Sequence, residues 1–379
     1  AEKSFPLRRS FDRPRKDQGR STGNSPGRFR TPQRDTGIRA ELPQMGDALR
    51  DLDTLRRFLP LLDDRHEGSY KLLAGEYDYG EFILIVEYIP DEPSRQPARL
   101  RARMRRETAR FPYDVFNTRS RETGARDFLA RAFSDAAGRA PSERRGVRAG
   151  RIAIDRPGRE LLESSAVVVS NEIIEVRFTV ELPVRRGRIP SDMVSELFLA
   201  TIPAVIRSSL IFKNVDGERL ADFIETNERA DMIRAQLEER GLVAFIADGS
   251  VLPGKWREGE TLTPFHAPEE LAVTFDLPNG RTVRGMGIPK GITLVAGGTG
   301  SGKSTLLRAI ELGVYNHIPG DGRELAVTIA DAVGVRTEEG RRIENVDVSP
   351  FFDPAGGVDR HRRRGRRRQA ARRGSPGAQ

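Results

Sequence analysis

Apolar residues recur along this chain with two periods, and each period marks out its own elements. Leu49, Leu52, Leu55, Leu59 and Leu62 follow one another at steps of three and four, which predicts an amphipathic helix from about Gly46 until Pro60 disturbs it. Leu220, Phe223, Ile224, Met232, Ile233 and Leu237 repeat that spacing over about 218–240, a long helix closed by Gly241. A further helix is predicted from Phe111 through Asp127, Phe128, Leu129 and Phe133. Met193–Leu210 is apolar and helical, with Pro203 implying a break or two short helices.

The period of two gives the strands. Tyr70–Leu73 and the broadly apolar Phe82–Tyr88 read as strands, the second of them central. In Arg99–Arg106 the alternation puts Leu100, Ala102 and Met104 on one face and Arg99, Arg101, Arg103 and Arg105 on the other. Val167–Val169, Ile173–Val180 and Glu181–Pro183 read as strands facing one another, and Leu242–Ala247 as a buried strand ended by the Asp248–Gly249 turn. Leu271–Asp276, the turn Pro278-Asn279-Gly280 and Thr282–Met286 make a hairpin. Ile292, Leu294 and Val295 form a short apolar run of the kind found in a buried parallel strand, and Glu324–Ile329 and Ile343–Val348 can make two more strands.

Composition changes this picture mainly at the ends. The 379 residues carry a formal net charge of +9, but residues 1–40 hold 11 Lys/Arg against 4 Asp/Glu and residues 360–379 hold 9 Arg and no acid, which leaves the body between them at −7. The basicity therefore belongs to two tails and is no evidence for a nucleic-acid-binding fold. Residues 1–40, rich in Arg, Gly, Ser and Pro, read as a disordered basic leader. Its Arg-Gly pairs and Phe29 between arginines would suit weak RNA contact, a solvated leader being the plainer alternative. The loosened stretch Ala136–Gly150 is the expected seam between an N-terminal α+β domain at 41–148 and a P-loop domain at 149–358, with 359–379 as a disordered Arg-rich tail.

The absence of cysteine excludes disulfides and thiolate metal sites and suits a reducing cytoplasm. His66, His266, His317 and His361 have no metal-ligand partner at helical spacing. No apolar run approaches the ~20 residues that span a bilayer and no signal peptide opens the chain, so the expected protein is soluble and cytoplasmic, without a membrane partner. The lone Trp256, between Lys255 and Arg257, reads more readily as a loop anchor than as a base-stacking ring.

The most specific chemistry lies in Gly297-Gly298-Thr299-Gly300-Ser301-Gly302-Lys303-Ser304-Thr305, which satisfies G-x-x-x-x-G-K-[ST] after a predicted strand and before a predicted helix. Glycines without a Cβ let the backbone turn its N–H groups inward around a polyphosphate. Lys303 would reach the β- and γ-phosphate oxygens, Ser304 would offer its hydroxyl to Mg²⁺, and a helix beginning at Thr305 would add its dipole. ATP and Mg²⁺ are the expected cofactors. The plainer alternative, a glycine-rich turn with a stray lysine, is disfavoured by the order strand, loop, helix. Arg99, Arg101, Arg103 and Arg105 are a second candidate site: four guanidinium groups on one face would repel one another unless anions or carboxylates compensate. They are either a reader of RNA or DNA phosphates or a solvated face paired with Glu87 or Asp91.

A β-hairpin directly before a P-loop strand is the arrangement of ABC-type ATPases, and "AVTFDLPNGRTVRGMGIPKGITLVAGGTGSGKSTLLRAIELGVYNHIPGDGRE" resembles the family known as predicted ATPases of the ABC class. The likeness extends back through Gly241–Pro253, Leu182-Pro183 and Asp127–Phe133, so that it covers about residues 45–350. The resemblance implies an α/β fold with an ABC-type P-loop domain behind a smaller α+β domain. It also implies ATP hydrolysis coupled to a substrate, and a homodimer in which the signature of one subunit covers the ATP of the other. The family pattern further calls for an aromatic before the hairpin turn to stack on adenine, where this chain has Leu277 with Phe275 two residues away. It calls too for a glutamine-bearing loop after the P-loop helix, whereas Gln369 and Gln379 are the only glutamines beyond Lys303.

After Val358 come 21 residues without Ile, Leu, Val, Met or an aromatic. The acidic strand end, its neighbouring glutamate and the Ser-Gly-rich signature of ABC proteins are not found, Asp347 being the nearest acidic candidate for the metal, and the catalytic residues stay unknown. GC-rich DNA read out of frame yields such Arg, Gly, Ala and Pro runs, so a frameshift or fragment end is expected near Asp359. Two functions follow. One is an ATP-binding protein of the ABC ATPase class that as written binds nucleotide without turning it over at an enzyme's rate, hydrolysis in the intact family being coupled to an unknown substrate. The other is an RNA- or DNA-binding protein that works through its tails and arginine strand, with ATP as a structural ligand.

Overall fold

The computed structural model describes residues 49–140, 150–253, 262–277 and 280–335, with the backbone of 143–144 and 147–148. The readings of 1–40 and 359–379, of Trp256, of the Pro278-Asn279 turn and of Ile343–Val348 with Asp347 lie outside the described residues. Those described fall within a single unit, Met45–Gln379.

The first half builds a seven-stranded sheet. After β1 (Arg50–Asp51), the side chain of Asp51 accepts from the Thr54 N–H and so caps α1 (Leu52–Phe58), which buries Leu55 and Phe58. The helix tightens into a 3₁₀ turn at Leu59–Leu62, where Pro60 sits, as the sequence predicts. β2 (Gly75–Asp78), β3 (Phe82–Tyr88) and β4 (Ala98–Arg105) follow as an antiparallel meander. Next come α2 (Arg106–Ala109), the long α3 (Arg119–Arg139) capped by Thr118, and a hairpin of β5 (Glu143–Arg144) with β6 (Val147–Arg148). β7 (Ile152–Ala153), β8 (Glu160–Leu161), β9 (Val167–Val169) and β10 (Ile173–Val180) complete this half.

The order is β1-β2-β3-β4-β10-β7, with β9 also on β10. β10 pairs along the whole of β4, from Ile173 opposite Arg105 to Val180 opposite Ala98. Hydrogen bonding in the sheet therefore continues across the seam expected at residue 148. In β4 Ala98, Leu100, Ala102 and Met104 are buried, so its alternation reads as predicted. Tyr70–Leu73 is not a strand but part of a 3₁₀ helix, Glu67–Leu73. The three-residue period puts Tyr70 and Leu73 inside together, and the Tyr70 hydroxyl donates to Pro183 O.

α4 (Ser191–Glu196), a π-helical turn at Leu197–Thr201 and α5 (Ile202–Leu210) form one continuous helical stretch. The break expected at Pro203 is not formed: Pro203 lies in the first turn of α5, the π turn comes just before it, and the Phe198 carbonyl within that turn accepts from the Tyr79 hydroxyl at 2.9 Å. By length and composition Ser191–Leu210 could cross a bilayer, with a mean hydropathy of 1.4, which corrects the reading that no run approaches that length. Here 56% of that window is buried inside the fold, with Met193, Phe198, Ile202 and Ile206 in the core.

The second half is a four-stranded antiparallel sheet between two helices. α6 (Gly217–Leu237), capped by Asp216, leads through Gly241 into β11 (Leu242–Ala247), and β12 (Ala272–Asp276) and β13 (Thr282–Pro289) form the predicted hairpin. α7 (Lys303–Leu312), β14 (Asn316–His317) and β15 (Ala326–Thr328) follow, and the order is β12-β13-β11-β15. α6 lays Ala230, Ile233 and Leu237 on one face, against Phe245, Phe275 and Val327. α7 lays Leu306 and Ile310 on the other, against Ala244, Ile246, Met286 and Ile288. The architecture is thus α/β, as expected.

α3 and α6 cross in backbone contact at Gly124, where an added Cβ would sit 2.9 Å from Phe223 O and 3.1 Å from Ile224 Cα. Phe128 and Phe223 meet edge to face beside it, ring centroids 5.6 Å apart. On the same helix a Cβ at Gly138 would meet nothing within 4 Å. One substitution at two places should therefore act with opposite signs in urea denaturation. Gly124→Ala is expected to lose about 1–3 kcal/mol by forcing two backbones apart, and Gly138→Ala to gain about 0.5–1 kcal/mol through helix propensity.

Candidate functional site

The segment entering α7 is built on backbone that side chains rarely adopt. Gly297, Gly300 and Gly302 have φ of 156°, 79° and 85°, and a Cβ at Gly297 would lie 2.6 Å from Ser301 Oγ. The loop is closed by its own polar groups. Ser301 Oγ donates to Gly298 O at 2.9 Å, and Lys303 Nζ donates to the same carbonyl and to Ser301 Oγ at 3.2 Å. Gly302 is the N-cap and has no side chain to offer, so the first helical bond runs from the Leu306 N–H to Gly302 O at 2.8 Å. The helix thus starts at Lys303, two residues before the expected Thr305. Gly297, Gly298, Thr299, Gly300, Ser301, Gly302 and Ser304 are exposed, while Lys303 and Thr305 are half-buried. Amides of an uncapped first turn, the helix dipole and one ammonium lie at the same helix end, which suits a polyanion. Among the described residues no group of three or more His, Asp or Glu could hold a metal. The Ser304 hydroxyl is the oxygen at hand, and this fits Mg²⁺, which takes few protein ligands when phosphates and water supply the rest.

Two sequence readings change here. Ile292 and Leu294 are 97% and 87% exposed and residues 292–298 have no regular structure, so the expected buried strand is not formed. A strand exists only by pairing, and no described residue pairs with this run. Phe275 is also not placed to meet a base. It is fully buried on the α6 face, edge to face with Phe245 at 4.8 Å, with the Arg240 guanidinium 4.2 Å from its centroid. Leu277 packs against that same cluster.

What the sequence did not disclose is how the far end of α7 is fixed. Arg234 of α6 donates from Nε to Thr328 O at 3.0 Å, from one terminal nitrogen to Gly313 O at 3.1 Å, and from the other to Asp231 at 3.0 Å. Thr328 Oγ1 adds a bond to Ile310 O at 2.7 Å. Two carbonyls at the helix C-terminus, Ile310 O and Gly313 O, thereby gain side-chain donors, and a cation sits at the negative end of the dipole. Burial lowers the pKa of Arg234 and Asp231 opposes this. Asn227 and Asp231 reach further, to Ser120 of α3 and to Asn316.

The arginine face is partly compensated. Arg103 bonds Glu175 at 3.0 Å, Arg177 bonds it at 3.0 Å, and Arg101 lies 3.7 Å from it and 3.6 Å from Glu87. Burial by itself would raise the pKa of Glu175, but Arg177 and Arg103 outweigh it and hold the carboxyl below its usual range. Asp91, the other suggested partner, pairs with Lys71. Arg99 lies over the Tyr88 ring at 4.7 Å, and both it and Arg105 are exposed.

Comparison with known families divides the chain between residues 213 and 216. Residues 216–360 match the P-loop domain of the ABC ATPases, and residues 52–213 match the N-terminal domain of ATPases of the ABC class. An uncharacterized protein of Methanocaldococcus jannaschii is 35% identical over 152 residues, 37% of this chain and 34% of its own length. The matched stretch thus spans about a third of that relative.

The three-way contact of Arg234 makes a stability prediction. Arg234→Met leaves two carbonyls and Asp231 without their cation and is expected to cost about 2–4 kcal/mol. Arg234→Lys should recover only part of this, since one ammonium cannot span three acceptors set around a planar fork. Equal denaturation midpoints for Met and Lys would show that the hydrogen bonds contribute little.

Proposed function

Because the chain belongs to the ATPases of the ABC class, we propose that it binds ATP with Mg²⁺ through Gly297–Thr305, hydrolysis coupled to work on a substrate being the role of the intact family. The observation that carries this reading is the uncapped start of α7 behind left-handed glycines, with Lys303 already turned into the loop. Within the loop the ammonium rests on Gly298 O and Ser301 Oγ, two neutral acceptors that phosphate oxygens would replace with charged ones. The main-chain amides would take the remaining phosphate oxygens and Ser304 would hold the metal. In the family arrangement two copies would share the ATP between them, and the site of action would be the cytoplasm. Isothermal titration of ATP into the parent and Lys303→Ala, with folding checked by circular dichroism, tests the assignment. The expected loss is about 1.5–3 kcal/mol, roughly ten- to hundredfold. Two folded proteins of equal affinity would end the reading.

The open face of β4 favours a second reading, contact with RNA or DNA. Arg99, Arg101, Arg103, Arg105 and Arg177 share the β3–β4–β10 face with Glu87 and Glu175, which leaves Arg99, over the exposed ring of Tyr88, and Arg105, at the other end of β4, as outward cations. Arg101 and Arg103 neutralise a buried glutamate, so the informative pair is Arg99→Gln with Arg105→Gln. In the full chain, where the tails act equally on both proteins, this double variant should bind oligonucleotide more weakly and with a flatter dependence on salt. An unchanged slope would make the face a solvated surface.

A further inference from the structure

A cleft of about 470 Å³ opens where α3, α6 and the residues after α7 meet, within the size range of small-molecule sites. It lies beyond the C-terminal end of α7, whose ten residues span about 15 Å, so it is separate from the loop at the other end. The floor is polar, with Asn227 and Asn316 buried and Asp231 half-exposed. Asn316, 8% exposed, donates to Asn227 Oδ1 at 2.7 Å and to Asp231 Oδ1 at 2.8 Å. Its own Oδ1 is buried and has no hydrogen-bond partner among the described residues. A buried carbonyl oxygen without a donor costs free energy, so it marks a place where a donor is missing.

The chemistry of the missing donor follows from its neighbours. Asp231 is already paired with Arg234 at 3.0 Å, so the floor carries no spare negative charge for an ammonium group. A neutral N–H fits. Part of the wall is apolar, made of Leu161, Val314 and the half-exposed ring of Tyr315, with Ser120 and Thr123 also on the lining. At the rim Arg119 and Glu163 form an exposed ion pair at 3.2 Å. A flat, neutral heterocycle with an amino group would lie against Tyr315 and give its N–H to Asn316.

We propose that this cleft is a second ligand site, distinct from the phosphate cradle, and that it takes the amino-bearing base of a nucleoside. The probes are adenosine, cytidine and guanosine, titrated calorimetrically into the full chain, each beside its analogue without the amino group: nebularine, zebularine and inosine. None carries a phosphate, so the result does not depend on Lys303 or on whether the loop binds ATP. The expected result is binding of at least one of the three, unchanged in Lys303→Ala and weakened about tenfold or more in Tyr315→Ala. Its analogue without the amino group should bind about tenfold less tightly, a comparison that needs no variant to fold. The proposal is overturned if none of the three binds, if the analogue binds as well as its parent, or if binding disappears in Lys303→Ala while Tyr315→Ala retains it.

Discussion

Helix α6 is buried along two sides at once, and both halves of the molecule take their position from it. Leu220, Phe223 and Ile224 lie in the core near its N-terminal end, with Phe223 meeting Phe128 of α3 edge to face, while Ala230, Ile233 and Leu237 serve the four-stranded sheet. An ordinary surface helix needs only one apolar stripe. With two, the polar residues between the stripes lose much of their access to water: Asn227 is buried and Arg234 largely so, and with the half-exposed Asp231 they find partners inside the protein. They do so through one connected set of bonds, from Ser120 of α3 to Gly313 and Thr328 around α7.

The same demand explains the other buried charges. Asp127 is fully buried on α3. Burial raises its pKa, with Arg131 opposing, and that arginine also holds Gly158 O and Glu160 O, tying the strand β8 to the helix. Asp321 is 2% exposed. Burial alone would push its carboxyl up, but Arg323 and Arg159, with His317 Nδ1 at 3.2 Å though out of hydrogen-bonding alignment, hold it well below the usual range. Each such carboxylate has an arginine from its own element or from across a junction, so the net negative body folds without an isolated buried charge.

Patterns set by local spacing were legible in the sequence. The alternation of β4, the long apolar face of α6, the hairpin before the loop and the glycine-lysine motif each depend on neighbours a few residues apart. The readings that changed depend on distant partners. Ile292–Val295 has the composition of a strand, but pairing is settled elsewhere in the chain. Phe275 alternates correctly within β12, yet the sequence did not reveal that α6 would cover it. Arg234 looks like one more solvated arginine until residues 79 and 94 positions away bring their carbonyls to it. The ladder of Arg99 to Arg105 was visible, whereas Glu175 beneath it needed the register of β10.

The two ends of α7 are held very differently. At Gly313 and Ile310 it is clamped by Arg234 and Thr328, while at Gly302 it is entered, among the described residues, from a loop that bonds to itself. Mechanically it is a cantilever. A force applied at the loop cannot slide such a helix along its axis without breaking the clamp; it can only swing it. A sideways displacement of about 1 Å at the free end of a rod about 15 Å long is a rotation of about 4°, with Leu306 and Ile310 as the points where the sheet would feel it.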